Sequence, residues 1–372
     1  MEQQQADSEA PARCAISVGQ LPLVDLPSSK GETPMSAVSK APLTFLSVFL
    51  FAAGTLSAPS SSSLQTSISG SDMASASSAS HAWYRITPAS TPAGKKLSKS
   101  QLTNKNLASV PTLPQPGFYP ADLVNHGGPV LTSAEQNPIY FDCPAGPTSC
   151  WGNPTSFLTR LNNSAFIHLT DQYVGTTANY RYPVGPSVKI NQTLQTNVLY
   201  LNDILTIVHA AATKLSIASG GYGNILHIFL PQGIDTCFDL TTICYSPDNP
   251  PSFRFCAYHG SVVFNDIGHI LFSVEPYQNV PGCQVASPSP NGLLVDSTAS
   301  TLSHELIETI TDPDLDAWWS DKSLIEQGEE IADICEPIGN GAGQFLDPTF
   351  IVGGKNYKIQ LEYSNKFHGC TH

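Results

Sequence analysis

The sequence is poor in charged residues and poorest in positive ones. Lys and Arg number 17 among 372 residues, against 30 Asp and Glu, and the formal net charge is −13. The longest basic run is the pair Lys95-Lys96. Nucleic acids and anionic membrane surfaces are bound by clustered Lys and Arg. We therefore expect neither as a partner.

Two short functional motifs are also missing. No Cys-x-x-Cys pair occurs, which argues against a zinc knuckle and a thioredoxin-type redox site. No Gly-x-Ser-x-Gly sequence occurs either. The stretch NHGGPV at 125–130 is similar to the oxyanion loop of lipases, but a serine hydrolase would lack its nucleophile here. We interpret the stretch as a tight turn leading into a strand.

Cysteines are present in number, and eight of the nine lie after residue 140. An even set at wide spacing is typical of disulfides formed in an oxidising compartment. Eight cysteines allow about 105 pairings, so spacing alone does not fix the connectivity. We favour four pairs, of which the first two close short loops: Cys143–Cys150, Cys237–Cys244, Cys256–Cys283 and Cys335–Cys370.

No apolar run is long enough to span a bilayer comfortably. The run FLSVFLFAAGTL at 45–56 follows Lys40 and precedes small residues ending at Ala58. This is the anatomy of a secretory signal peptide. Counted from Met35 its proportions are ordinary, so we predict a signal core at 35–58 and an upstream extension before it. An uncleaved signal anchor is the alternative. We expect a secreted, extracellular protein with no membrane attachment in its mature form.

Residues 59–115 are rich in Ser, Ala, Thr and Pro and lack periodic apolar residues. Such a composition buries too little surface to offset the entropy of ordering, which predicts a disordered linker or stalk. The remainder, 116–372, reads as one α/β or α+β domain with a mixed sheet. A helix is predicted at 202–215, capped by Asn202 or Asp203.

The predicted strands are short apolar runs bounded by Gly or Pro. The first of them is expected at 137–143. A final hairpin is expected to turn at Gly353-Gly354. The other strands are predicted at 224–231, 253–264 and 269–277.

A second helix carries the most informative stretch, STLSHELIETITDPDLDAWW. We predict that Asp296 caps it and that Pro313 ends it. His304 and Glu308 then lie one turn apart, and Glu305 is adjacent to them. Zinc hydrolases use this arrangement: two ligands one turn apart and a carboxylate that accepts a proton. The alternative is an ordinary solvated helix face.

A third ligand is expected from the downstream stretch GEEIADICE. Glu330 is the preferred ligand, and Asp333 is a fourth ligand or a supporting partner. Asp314 is a weaker choice. Zinc is the favoured ion and calcium the alternative, because hard carboxylates also suit calcium. The same acidic stretch is also compatible with a solvated turn.

Two further features have a functional and a structural interpretation. His259, in FCAYHGS, is a further ligand or a hydrogen-bond donor to a reacting group, unless it is a hydrogen-bonded structural residue. Trp318, Trp319 and Tyr277 would suit sugar stacking, unless they are core or rim aromatics.

Four of these stretches together resemble the EXORDIUM or phosphate-induced family and its microbial relatives: HGGPVL, CAYHGS, SHELIETITDPDLDAWW and EIADICE. The resemblance implies a secreted or wall-associated protein, and it implies that Glu308 is the family's own residue at that position. It does not imply a reaction.

Taken together, the sequence predicts a disulfide-bonded, zincin-like domain with an HExxE helix. If the protein is an enzyme, Glu305 is the general base of a metal-assisted hydrolysis, with a peptide bond as the default target. The alternative is a non-catalytic extracellular module that binds a partner or cell-wall polysaccharide and holds a structural ion.

Overall fold

A computed structural model describes the chain from Asp122 onward and two earlier stretches. The early stretches, 65–69 and 79–88, are described by their backbone alone. The predicted signal peptide lies outside the described residues. The later part comprises residues 122–192, 194, 196–217, 221–238, 243–320, 329–335 and 344–372.

The described part of the chain contains both strands and helices. The strands are β1 (Gln65–Ser69), β2 (Ala79–Pro88), β3 (Val124–Asn125), β4 (Glu135–Phe141), β5 (Ser187–Asn191), β6 (Val198–Tyr200), β7 (Asn224–Phe229), β8 (Asp235–Cys237), β9 (Cys244–Tyr245), β10 (Phe255–Phe264), β11 (Gly268–Glu275), β12 (Gln284–Val285), β13 (Trp318–Trp319), β14 (Gln344–Phe345), β15 (Thr349–Val352), β16 (Lys355–Lys358), β17 (Glu362–Ser364) and β18 (Gly369–Thr371). The helices are α1 (Pro147–Trp151), α2 (Pro154–Asn162), α3 (Asp171–Val174), α4 (Leu201–Lys214) and α5 (Leu293–Thr311), with 3-10 turns at Phe166–Thr170 and Asp333–Cys335.

The principal sheet is mixed and has seven strands in the order β1-β5-β4-β7-β11-β10-β2. The first five strands in this order, β1, β5, β4, β7 and β11, run parallel to one another. β10 is antiparallel to β11, and β2 is antiparallel to β10. The expectation of an α/β domain with a mixed sheet is confirmed at this level.

The prediction of a disordered linker at 59–115 is wrong for two stretches. β1 pairs with β5 and β2 pairs with β10, so both belong to the principal sheet. The sequence HAWYRI inside β2 has strand-forming residues, but the surrounding Ser-rich composition conceals them when the whole region is averaged. It follows that the predicted strand at 137–143 exists as β4 but is not the first. The rest of 59–115 lies outside the described residues.

The sheet is covered on both faces, as parallel sheets are. Successive side chains of a strand point to opposite faces. Accordingly, Phe141 belongs to one buried apolar cluster and Tyr140 to another. α4 packs into the first cluster through a stripe that includes Ile204 and Val208. α5 packs into the second through residues that include Leu306.

Both long helices begin earlier than the sequence predicts. α4 begins at Leu201, and Asp203 accepts a hydrogen bond from the backbone N–H of Tyr200 at 2.8 Å without being the capping residue. α5 begins at Leu293, so Asp296 lies inside the helix, where it accepts hydrogen bonds from Asn291. The predicted end before Pro313 is confirmed.

The four favoured disulfides are all present, Cys143–Cys150, Cys237–Cys244, Cys256–Cys283 and Cys335–Cys370. The predicted hairpin at Gly353-Gly354 is present as β15–β16. It is not the final one, because β17 and β18 form another hairpin after it. The last disulfide joins β18 to the 3-10 turn at Asp333–Cys335, which brings the end of the chain to the site described next.

Candidate metal centre

The predicted site residues meet on the face of the sheet that α5 covers. Tyr258 faces the α4 side of the sheet, so the alternation of side chains along β10 turns its neighbour His259 toward α5. His304, Glu305 and Glu308 come from the middle of α5. Glu330 and Asp333 come from the stretch that ends at Cys335 and complete the cluster.

The one-turn spacing on α5 places two ligand-type atoms side by side. Nε2 of His304 lies 3.1 Å from Oε2 of Glu308 and 3.7 Å from Oδ1 of Asp333. The other oxygen of Glu308 accepts a hydrogen bond from the backbone N–H of Asp333 at 3.2 Å. Nδ1 of His304 lies 3.2 Å from Oε1 of Gln360, which can only accept.

His259 occupies a similar position on the other side of Glu308. Its Nδ1 lies 3.3 Å from Oε2 of Glu305 and 3.5 Å from Oε2 of Glu308. Its Nε2 lies 3.7 Å from Oε1 of Glu330. Three carboxylates therefore converge on the ring of His259, which is hydrogen-bonded to one of them, Glu305.

The cluster is buried. The side chains of His259, His304, Glu305 and Glu330 are 0% exposed, and that of Glu308 is 1% exposed. The alternative interpretations as a solvated helix face and a solvated turn are therefore wrong for these residues. Burying polar and ionisable groups is costly unless they are paired or coordinate a metal.

The ligand-type atoms fall into two triads that share Glu308. One triad is His304, Glu308 and Asp333, and the other is His259, Glu308 and Glu330. Within each, one atom from every residue lies within 4.8 Å of the others. Tetrahedral zinc with ligands at about 2.0–2.2 Å requires neighbouring ligand atoms to be about 3.4 Å apart. The separations between the two Nε2 atoms and the carboxylate oxygens of Glu308, Asp333 and Glu330, at 3.1–3.7 Å, lie close to that value.

The triads group the predicted ligands differently from the sequence-based proposal. The sequence predicts Glu330 as the third ligand beside His304, with Asp333 as a fourth ligand or supporting partner. In the structure Asp333 joins His304, and Glu330 joins His259.

Burial and the close charges shift the pKa values of the cluster in opposite directions. Burial lowers the pKa of both histidines, but the surrounding carboxylates outweigh it and hold each pKa well above its usual value. Burial raises the pKa of Glu308, but His304 and His259 outweigh it and hold that pKa well below its usual value. Burial keeps the pKa of Glu305 raised. When no cation is bound, the surrounding carboxylates therefore favour the protonated, positively charged form of both histidines.

Sequence reasoning missed three buried polar residues around the cluster. Gln360 contacts His304, as described above. Glu275, on β11, and Glu362, on β17, are buried, and desolvation by burial raises the pKa of each well above its usual value. These residues lie in strand-like, largely apolar stretches, so no motif in the sequence points to them. The alternation along β11 was the available signal, since it puts Ser273 and Glu275 on one face.

The other candidates lie elsewhere. Asp314 accepts hydrogen bonds from His269 at 2.7 Å and from Tyr222 at 2.5 Å, and it belongs to neither triad. Trp319 stacks on His126, and Trp318 packs edge-on against Tyr173. These contacts fit aromatics that join β13 to its surroundings better than a shared sugar platform with Tyr277.

The comparisons with known proteins give one partial likeness. A 105-residue stretch is 34% identical to Protein EXORDIUM-like 3 of Arabidopsis thaliana, covering 25% of this chain and 31% of the relative. The chain thus matches about a third of that relative's length. No family model and no solved structure matches.

The likeness supports, over that stretch, the relationship to EXORDIUM proteins that the motifs suggested. Together with the four disulfides it is in keeping with an extracellular protein. Among the described residues no helix is both long and apolar enough to cross a membrane.

Proposed function

We propose that this chain is an extracellular metalloprotein that uses an HExxE helix to bind a divalent cation and hydrolyse a peptide-like bond. The ligands of the proposed ion are His304, Glu308 and Asp333. Zinc is favoured over calcium, because each triad supplies an imidazole nitrogen and calcium takes oxygen ligands.

One observation carries the metal assignment: Nε2 of His304 is buried and has no hydrogen-bond partner, although two carboxylates lie beside it. The opposite nitrogen faces an oxygen of Gln360 that can only accept, so Nδ1 carries the proton and Nε2 presents a lone pair in the neutral ring. Ligating histidines are oriented in this way, with the second nitrogen donating to an acceptor. The residues present therefore fit a bound cation.

A divalent ion in this position would supply Lewis acidity toward a carbonyl group and toward water. Glu305 is the residue of the chain that is suited to accept the proton. It follows His304 directly on α5, and burial raises its pKa above the usual value for a carboxyl group, which favours its accepting a proton. His259, 3.3 Å from Oε2 of Glu305, orients that carboxylate. The proposed substrate class is an extracellular peptide.

The burial of the whole cluster favours a second candidate function. Structural metal sites are closed, whereas catalytic sites keep a position open to substrate. Every triad member except Asp333 is at most 1% exposed. In this alternative, the ion holds α5 to the 3-10 turn at Asp333–Cys335 in a module that binds a partner or cell-wall polysaccharide.

One experiment separates the two functions. Metal content is measured by elemental analysis in the wild type, Glu305→Gln and His304→Ala, together with cleavage of a peptide library. His227→Gln is the matched control, because His227 is equally buried but belongs to neither triad. For an enzyme, Glu305→Gln keeps its metal and loses activity by at least about 100-fold, the usual contribution of a general base.

The structural alternative predicts a different pattern. His304→Ala loses its metal and its thermal stability, Glu305→Gln changes neither, and the wild type cleaves nothing. A wild-type protein that binds no divalent ion would falsify both versions.

A further inference from the structure

We propose that the centre holds two divalent ions, one in each triad, with Glu308 as the ligand they share. The second ion is bound by His259, Glu308 and Glu330. The inference rests on the proposed function for its first ion and adds a second site of the same chemical class, a transition-metal dication with one nitrogen and two carboxylate ligands.

Two separate triads fit the geometry better than one large site. The grouped atoms lie within 4.8 Å of one another inside each triad, and the five residues form two such groups. Glu308 is the residue common to both. Its Oε2 lies 3.1 Å from Nε2 of His304 and 3.5 Å from Nδ1 of His259. Two-metal sites hold their ions about 3.5–4 Å apart, a distance that one carboxylate can bridge.

The orientation of His259 is the independent observation for the second ion. Its Nδ1 forms a hydrogen bond to a carboxylate oxygen of Glu305, so this nitrogen is the donor. Its Nε2 is buried, has no hydrogen-bond partner and lies 3.7 Å from Oε1 of Glu330. A buried ring nitrogen without a partner has lost its hydrogen bonds to water and has gained no other contact to replace them. A metal ion would provide that contact, with Nε2 as its ligand.

The side chains of His259 and His304 therefore have the same arrangement of contacts. In each, Nδ1 faces an oxygen that accepts a hydrogen bond, the ionised carboxylate of Glu305 for His259 and the amide oxygen of Gln360 for His304. In each, Nε2 is left beside carboxylates without a hydrogen bond. This is the carboxylate- or amide-supported orientation of a metal-binding imidazole, and it occurs once in each triad.

The formal charges of the ligands agree with two dications. With neutral imidazoles, the carboxylates of Glu308, Glu330 and Asp333 contribute −3, and the adjacent Glu305 makes the total −4. One divalent ion leaves −2 among these groups, and two bring the sum to zero.

The test is a metal titration of the intact secreted chain. The wild type is stripped with a chelator, titrated with Zn²⁺, freed of excess ion by gel filtration and measured by elemental analysis. We expect about two equivalents of zinc per chain. His259→Gln and His304→Gln should each retain about one, and Glu308→Gln should hold neither ion tightly. The control His227→Gln should keep two.

A measurement on the wild type protects the test against variants that do not fold. With Mn²⁺ in place of zinc, two ions that share a carboxylate give an exchange-coupled electron paramagnetic resonance spectrum, whereas one ion gives an isolated six-line signal. A single equivalent with a six-line signal overturns the second site and leaves the proposed function in place. No bound metal at all overturns both.

Discussion

Two groups of histidine and carboxylate side chains are built differently: one surrounds Asp314, just after the end of α5, and the other is formed by the metal-centre triads. In the first, His269 and Tyr222 donate to the two oxygens of Asp314 at 2.7 and 2.5 Å. In the second, the metal-centre triads, ring nitrogens and carboxylate oxygens lie 3.1–3.7 Å apart, and both Nε2 atoms lack hydrogen bonds.

The difference indicates which group needs a cation. Short, directed contacts in the Asp314 group are charge-assisted hydrogen bonds that satisfy the carboxylate by themselves. Longer, converging contacts in the triads leave ligand atoms at the mutual spacing of a coordination shell. Exposure points the same way, since the Asp314 side chain is 17% exposed and that of Glu330 is fully buried. The composition of the two groups alone would not distinguish them.

Among the changes that test this comparison, removal of the disulfide Cys335–Cys370 should have the largest effect on stability. Cys335 lies two residues after Asp333 in the same 3-10 turn, and it is joined to Cys370 across a separation of 35 residues. Removing that loop closure with C335S/C370S should cost about 4 kcal/mol of unfolding free energy. The metal content should fall as well, because Asp333 loses its anchor. Urea unfolding and elemental analysis measure the two effects.

The matched control is C237S/C244S, which opens a loop with a separation of 7 residues. We expect a loss of about 2 kcal/mol with no change in metal content, because neither cysteine adjoins a triad residue. If both double variants lost metal equally, the link between Cys335 and the centre would be refuted.

Much of the fold was predictable because its elements have local signals. The helix at Leu201–Lys214 carries a stripe that includes Ile204 and Val208, and β7 is an apolar run between Gly and Pro. The predictions failed where an element depends on pairing with a distant part of the chain and the residues around it give no local signal. β2 is stabilised by antiparallel pairing with β10, whose first residue, Phe255, lies 167 positions after the last residue of β2, Pro88. An average over the surrounding Ser-rich residues therefore conceals it.

The candidate site was predictable to the extent that its residues sit in one motif. His304, Glu305 and Glu308 follow from helical spacing, and Glu330 and Asp333 from a compact acidic stretch. The assignment of each carboxylate to a histidine was not predictable, because it depends on how the stretch ending at Cys335 folds back on α5. Glu275, Gln360 and Glu362 were missed because strands bring single polar residues together from distant parts of the chain.

A buried histidine outside the triads allows a second, smaller test. His227 on β7 is hydrogen-bonded to Ser273 at 2.8 Å, and burial lowers its pKa to about 3. Between that value and the unfolded value of about 6.5, only the unfolded chain binds the proton, so stability falls as the pH is lowered. We expect this group to cost about 2 kcal/mol at pH 5 relative to pH 8.

The measurement compares urea unfolding of the metal-free wild type and His227→Asn at pH 5 and pH 8. The variant should lose less stability than the wild type on acidification. Because both proteins are metal-free, the triad histidines contribute equally and cancel in the difference. Equal acid sensitivity in the two proteins would show that His227 is not held neutral in the folded state.

The smallest effect on stability is expected from the Asp314 group, through the pair His269 and Asp314. Burial lowers the pKa of His269, but the hydrogen bond that it donates to Asp314 outweighs burial and raises that pKa. Burial raises the pKa of Asp314, but His269 outweighs it and lowers that pKa. The histidine contribution is complete below about 6.5 and is lost as the pH rises through its folded pKa. The aspartate contribution is complete above about 3.8 and is lost as the pH falls.

The pair should therefore stabilise the protein most between about pH 4 and 6.5, by less than about 1 kcal/mol because it is partly exposed. His269→Gln should cost more stability at pH 5 than at pH 9, and its metal content should equal that of the wild type. Loss of metal in this variant would contradict the comparison, because it would show that the Asp314 group, despite its short hydrogen bonds, also takes part in binding the metal. Retention of metal here and its loss in His304→Gln would show that convergence on an unbonded nitrogen defines the centre.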